Sequence, residues 1–191
     1  MAAGYDEWSE NYEEMMIWKG GYRGPAITLE EALRWVPPER RAKARVLDVA
    51  AGTGCVGREL HREGFSHSHR HIDAVDPSEG MMKQRETGIY TNDFLEFIGS
   101  GHSTVPKGGF VIIVMRHEYL QTVPSYKDKL EPYMDQLEAD GKWKKSPPRG
   151  LRLPTCCPED YPPTRTLEEA MQVKSRMISG GQHEPIIIAA L

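Results

Sequence analysis

The sequence predicts an α/β fold, a mostly parallel sheet with helices on both faces. Three stretches carry that prediction. Arg45 to Leu60, RVLDVAAGTGCVGREL, opens as an aliphatic and β-branched strand run, breaks at Ala51-Gly52-Thr53-Gly54, and continues as a helix from Cys55. His71 to Met82, HIDAVDPSEGMM, repeats the arrangement: Ile72, Ala74 and Val75 make a strand, Asp76 ends it, and Ser78 is placed to N-cap a helix. Phe110 to Met115, FVIIVM, is a continuous apolar run of buried-strand length. A strand that passes through a glycine turn into a helix aims backbone N–H groups at the carboxyl edge of the sheet, where open α/β sheets bind ligands.

The remaining elements follow in chain order. Tyr5 to Trp18 has the apolar spacing of an amphipathic helix whose aromatics face a core. Thr28-Leu29-Glu30-Glu31 reads as a capping box opening a helix that stops before Pro37-Pro38. Arg40, Arg41, Lys43 and Arg45 read as a solvated basic cluster. His61, His67, His69 and His71 gather between the first glycine-led helix and the second strand; with no acid or cysteine at fixed spacing they read as a polar loop, and no metal is expected. Ile89 to Phe97 is a third strand ending near Asp93. Ser125 caps a helix to about Ala139, kinked at Pro132, with Tyr126, Leu130, Met134 and Leu137 on one face and Gly141 beyond its end. Residues 146–165 are proline-rich and read as linker or disorder. Thr166 to Met177 reads as a capped helix, and Pro185-Ile186-Ile187-Ile188 as a terminal edge strand.

Composition narrows the function classes. The 191 residues suffice for one domain with a sizeable core. A net charge of −4 leaves no electrostatic footprint for nucleic acid. No apolar run reaches the roughly 18 residues of a membrane span, and no signal peptide opens the chain. Cys55, Cys156 and Cys157 form neither a disulfide framework nor a C-x-x-C pair, so a reducing, cytoplasmic setting is expected, with the nucleus open.

The chemistry centres on the glycine turn. Gly52, Gly54 and Gly57 fit G-x-G-x-x-G, the dinucleotide fingerprint, which would suit an NAD-binding oxidoreductase. Asp48 argues against that reading: a carboxylate beside the turn repels a pyrophosphate and attracts an ammonium. Asp48-Val49-Ala50-Ala51-Gly52-Thr53-Gly54 resembles motif I of the class I S-adenosylmethionine-dependent methyltransferases, with Ala50 in place of the first glycine. Asp76, 24 residues after Gly52, and the D-x-S-x-x-M that it opens resemble the following segment of the same superfamily. Tyr5-Asp6-x-Trp8-x-x-x-Tyr12 resembles the opening of its small-molecule members, and Lys107-Gly108-Gly109-Phe110 the turn before their fifth strand.

The resemblance implies a Rossmann-like fold, bound S-adenosylmethionine with S-adenosylhomocysteine as product, and a set of contacts. Tyr12 would lie in a lid touching the methionine end. Asp48 would hold the ammonium, directly or through water, above Ala50, Gly52, Thr53 and Gly54. Asp76 would take the ribose, with Pro77 beside it, and Met81, Asp93 and Phe94 would surround adenine. His117, after the fifth strand, would be the general base if one is needed, although a solvated turn histidine is the plainer reading. The family's fourth strand and its helix are missing between residues 98 and 108. The expectation is therefore a methyltransferase domain over residues 1–145, shortened there, and a tail over 146–191. The sheet gap would be closed by direct pairing, by the Ile186–Ile188 segment, or by a second chain in a dimer. The function expected is methyl transfer to an unidentified small-molecule or protein acceptor; the alternative is a cofactor-binding or interaction protein impaired in catalysis.

Overall fold

The computed structural model describes residues 2–65, 72–97, 109–116, 118–145, 171–178 and 185–190. Among these residues seven strands form one sheet. They are β1 (Arg45–Val49), β2 (Ile72–Val75), β3 (Asn92–Phe94), β4 (Gly109–Arg116), β5 (Trp143–Lys145), β6 (Met171–Ile178) and β7 (Pro185–Ala190), in the spatial order β3-β2-β1-β7-β4-β6-β5. β3, β2, β1, β7 and β4 are mutually parallel; β6 runs antiparallel to β4, and β5 antiparallel to β6.

The helices are α1 (Ala2–Trp8), α2 (Gly24–Trp35), α3 (Pro38–Arg41), α4 (Cys55–Arg62), α5 (Glu79–Lys83), α6 (Tyr119–Thr122) and α7 (Leu130–Ala139). Strand alternation sorts the sheet residues between two faces. Val46, Ile72, Ala74, Ile112 and Val114 share a core with Ile27 and Ala32 of α2 and Val56 and Leu60 of α4. Leu47, Val49 and Val75 line the other face, with Phe94 and Val111 against them. Both faces of β1 are covered, as a parallel strand requires, and each fully buried aliphatic contributes about 1.5–3 kcal/mol relative to exposure. Trp35 closes one margin of the core, stacked on Phe110 at 4.8 Å with its indole N–H on Glu31.

The three founding stretches fold as expected, including the Ser78 cap, whose hydroxyl accepts from Met81 N–H at 3.2 Å. Elsewhere the structure corrects the reading. The opening segment is not one helix: α1 gives way to a 3-10 turn over Ser9–Asn11 and a π-helix over Glu13–Lys19. At the break, the buried Ser9 hydroxyl donates to the Asp6 carbonyl, a local bond that competes with helix continuation. The Thr28 capping box does not form. α2 begins at Gly24 with Pro25 in its first turn, so Thr28 lies inside the helix, its hydroxyl donating to the Gly24 carbonyl at 2.7 Å. The third strand is confined to Asn92–Phe94, and Asp93 sits mid-strand opposite Ala74. α7 begins at Leu130 and not at Ser125, which puts Pro132 in the first turn, where no intrahelical N–H bond is lost.

The largest corrections fall in the tail. The Thr166 to Met177 helix is replaced, over its described part, by β6. Its residues alternate Met171, Val173, Ser175, Met177 against Gln172, Lys174 and Arg176, a period-2 pattern, and an eight-residue ladder with β4 realises it. Pro185–Ala190 is not an edge strand. It lies at the centre of the sheet, Ile187 opposite Leu47 of β1 on one side and Val111 of β4 on the other. Of the three ways expected for the gap beside β1 to close, the structure shows the Ile186–Ile188 segment, within β7. Residues 171–178 and 185–190, read from sequence as tail, are strands of the same sheet as β1. No helix among the described residues is long and apolar enough to cross a membrane.

Candidate functional site

The chain order β1–β2–β3 runs one way from β1 while β7 and β4 lie on the other side, so the crevice of the sheet opens beyond the carboxyl end of β1. The turn Ala50–Gly54 occupies that place. Ala50 has φ 56° and Gly52 φ 54°; left-handed backbone costs glycine nothing, but costs Ala50 about 1–2 kcal/mol.

Asp76 is the residue that organises the turn. It is 7% exposed, and its two carboxylate oxygens accept from Gly52 N–H and Ser78 N–H, each at 2.8 Å, tying the ends of β1 and β2 together. Met81, buried beneath, brings its methyl group close enough to Gly52 that an added Cβ would meet it at 3.3 Å. Asp76, Gly52 and Met81 are therefore brought together, with the half-buried Pro77 next after Asp76 in the chain.

Asp48 is placed otherwise. It shares the α2–α4 face of β1 with Val46 and is completely buried. One oxygen accepts from the Tyr90 hydroxyl at 2.7 Å; the other, Oδ1, has no partner among the described residues. Burial raises its carboxyl to about 6, against the Tyr90 hydroxyl and the Arg85 guanidinium, which pull it down. The strand period could have foretold this, since residues two apart share a face and Val46 faces the core. The Asp93 carboxylate pairs with Arg85. Phe94 packs into the Leu47–Val49–Val75 cluster, and its carbonyl accepts from Asp76 N–H at 3.1 Å.

The N-terminal segment lies over this edge. The Asp6 carboxylate accepts from the Ser78 hydroxyl at 2.6 Å and from Gly80 N–H at 2.8 Å, which holds it below the usual carboxylate range. Gly80 is needed there, because a Cβ would fall 2.8 Å from the Asp6 Cα. Glu13 and Arg58 of α4 form a two-pronged pair at 2.8 and 3.3 Å. Burial opposes the charge on Glu13, but Arg58 with Thr53 and Cys55 outweighs it and holds the carboxyl low. Tyr12 stands edge-on to Tyr5 at 6.3 Å between ring centroids, and burial lifts its hydroxyl to about 12, with Tyr5, Cys55, Tyr119 and Asp76 as electrostatic neighbours. Cys55 touches Thr53 Oγ1 at 3.3 Å and is pushed by burial to about 11, a thiol and not a thiolate near neutrality. His117, His67, His69 and His71 lie outside the described residues, as do Cys156 and Cys157.

Sequence reasoning gave no role to Asp6, Glu13, Arg58, Arg85 or Tyr90. Asp6 stands inside the Tyr-Asp-x-Trp motif and could have been suspected; Arg85 and Tyr90 carry no signal, because Gly52 and Asp48, to which they donate, lie 33 and 42 residues away.

Strand order, parallel pairing and a glycine turn between two acid-bearing strands define a Rossmann-like α/β protein with its crevice at β1. No protein-family model matches the chain. The chain is similar to Methyltransferase-like protein 27 of Homo sapiens, at 30% identity over 169 residues, taking in 73% of this chain and 66% of that relative. The chain thus spans just under two thirds of the relative's length, and the match supports a methyltransferase-like relationship.

Proposed function

We propose that this protein binds S-adenosylmethionine at the Ala50–Gly54 turn and transfers its methyl group to an unidentified small-molecule or protein acceptor. The observation that carries the reading is the Asp76 carboxylate bonded to the turn. Its Gly52 N–H is already taken by the Asp76 carboxylate. A pyrophosphate would meet the Asp76 carboxylate where a dinucleotide site offers an N–H group; a cationic ligand meets the opposite. The methyltransferase-like relative supports the same choice.

The residues present fit such a ligand. Asp76 has lone pairs beyond the two in use and sits at the crevice, where it would accept from ribose hydroxyls. Met81 would give adenine an apolar floor, and Tyr12 would cover the methionine end. Asp48, being wholly buried with Oδ1 unpartnered, would act on an ammonium through its field and not by direct contact. When bound, the group supplies a methyl carried on a sulfonium and so already activated. What the chain adds is position: Asp76 and the glycine backbone fix the donor, and the lid formed by residues 2–19 keeps water from it.

Titration calorimetry decides the matter. Heat is expected with S-adenosylmethionine and with S-adenosylhomocysteine, and none with NAD, and Asp76→Ala should abolish it. A folded sample silent toward both sulfur ligands overturns the proposal. Binding without transfer of labelled methyl to any acceptor in a broad panel would favour the cofactor-binding alternative.

A further inference from the structure

We infer that Arg85 is a positioning residue of the ligand turn, holding Gly52 from behind while Asp76 holds it from the crevice side. Gly52 is gripped at both polar groups. Its N–H donates to Asp76 at 2.8 Å, and its carbonyl accepts from Arg85 Nε at 2.8 Å. Arg85 is itself immobilised: its side chain is 5% exposed, its guanidinium pairs with Asp93, and it lies 5.0 Å from the centre of the Tyr90 ring. Tyr90 in turn donates to Asp48. The pairing also accounts for two glycines of the fingerprint. A Cβ at Gly54 would meet Tyr90 at 3.1 Å and Arg85 at 3.3 Å, and one at Gly57 would meet the Tyr90 hydroxyl at 2.2 Å. These glycines admit Tyr90 and Arg85 behind the turn; Gly52 alone of the three faces the crevice residues.

Arg85 is further charge-matched to its surroundings. Its Nη2 is buried without a partner among the described residues, as is Asp48 Oδ1, and the two belong to one buried cluster in which the guanidinium offsets Asp48 and Asp93. A planar cation with several donors meets three demands at once: the Gly52 carbonyl, the Asp93 carboxylate and the Tyr90 face. Lysine, with one point charge, cannot meet all three. Because Arg85 reaches a ligand only through Gly52, its effect is on the shape of the turn, and the ligand-binding part of this inference rests on the function proposed above.

The test compares wild type with Arg85→Met, which keeps length and apolar contact with Tyr90, and with Arg85→Lys. Amide hydrogen exchange in the ligand-free protein is read by NMR at Gly52, with Val46 and Ile72 as references in β1 and β2. Gly52 should exchange at least tenfold faster in both variants while the references stay as in wild type. The calorimetric Kd for S-adenosylhomocysteine should rise tenfold or more, with no rescue by lysine. Unchanged Gly52 exchange overturns the inference, and so does an unchanged Kd. A wild type that gives no heat would sink the proposed function alone, since the exchange data still decide the role of Arg85. Should Arg85→Met fail to fold, Asp93→Ala at an exposed position releases one arm of the guanidinium. It should speed Gly52 exchange several-fold with the references unmoved, and no change there also overturns the inference.

Discussion

β1, β2 and β3 come from one contiguous stretch, residues 45–94, whereas the other side of the sheet joins β4 to strands that follow it by dozens of residues. The first half carries the turn, the buried acids and the clamp on Gly52. The second carries ladders: β4 is paired along its length by β6 and along most of it by β7. Local chemistry thus concentrates where the chain is local. On the far side, stability comes from pairing that no short motif announces.

The comparison is broken most severely at β7. Ile187→Pro removes a ladder donor from a central strand flanked on both sides, and the expected loss is about 3 kcal/mol or more in urea unfolding. Lys144→Pro, on the marginal strand β5, should cost far less; equal costs would mean that β7 is not central.

On the motif side, the buried acid gives a pH signature. The folded Asp48 carboxyl, raised by burial to about 6 from 3.8, takes up a proton on folding. Its contribution is therefore fully present below about pH 4 and is lost as pH rises through about 6, a swing of about 3 kcal/mol. Asp48→Asn should lack this term, so the stability difference between wild type and variant should move against wild type across that window. Parallel pH profiles of the two would disprove the burial. Tyr90→Phe strips the same carboxyl of its donor at 2.7 Å and should cost about 1–3 kcal/mol by thermal or chemical unfolding. The smallest effect expected is a gain: Ala50→Gly relieves a left-handed alanine and should stabilise the protein by about 0.5–1 kcal/mol, visible as a raised Tm.

The two halves were also unequally legible. Strand–turn–helix at Arg45–Leu60 and the acid-ended strand at Asp76 are written in adjacent residues, so both elements, and Asp76 just past its strand, could be anticipated. Asp48 could be found but not oriented by motif alone; its facing depends on strand period and on Tyr90, 42 residues away. Arg85 was invisible because Gly52, whose carbonyl it holds, lies 33 residues away, although Tyr90 and Asp93 follow it closely in the chain. In the tail, helix-favouring Thr166-Leu167-Glu168-Glu169 masked the alternation that begins at Met171, and pairing with β4 decided the outcome. Pro185 marks the start of β7, a position proline tolerates in any strand, and so did not signal a margin.

β7 has a consequence for how the molecule is made. It follows both of its neighbours in the chain, so β1 and β4 leave the ribosome before the strand that will separate them. Until it arrives, each shows bare backbone donors and acceptors, an invitation to pair with each other out of order or with a stranger. Insertion between two waiting strands is a long-range event, and it makes completion of the sheet slow compared with folding of the β1–β3 half.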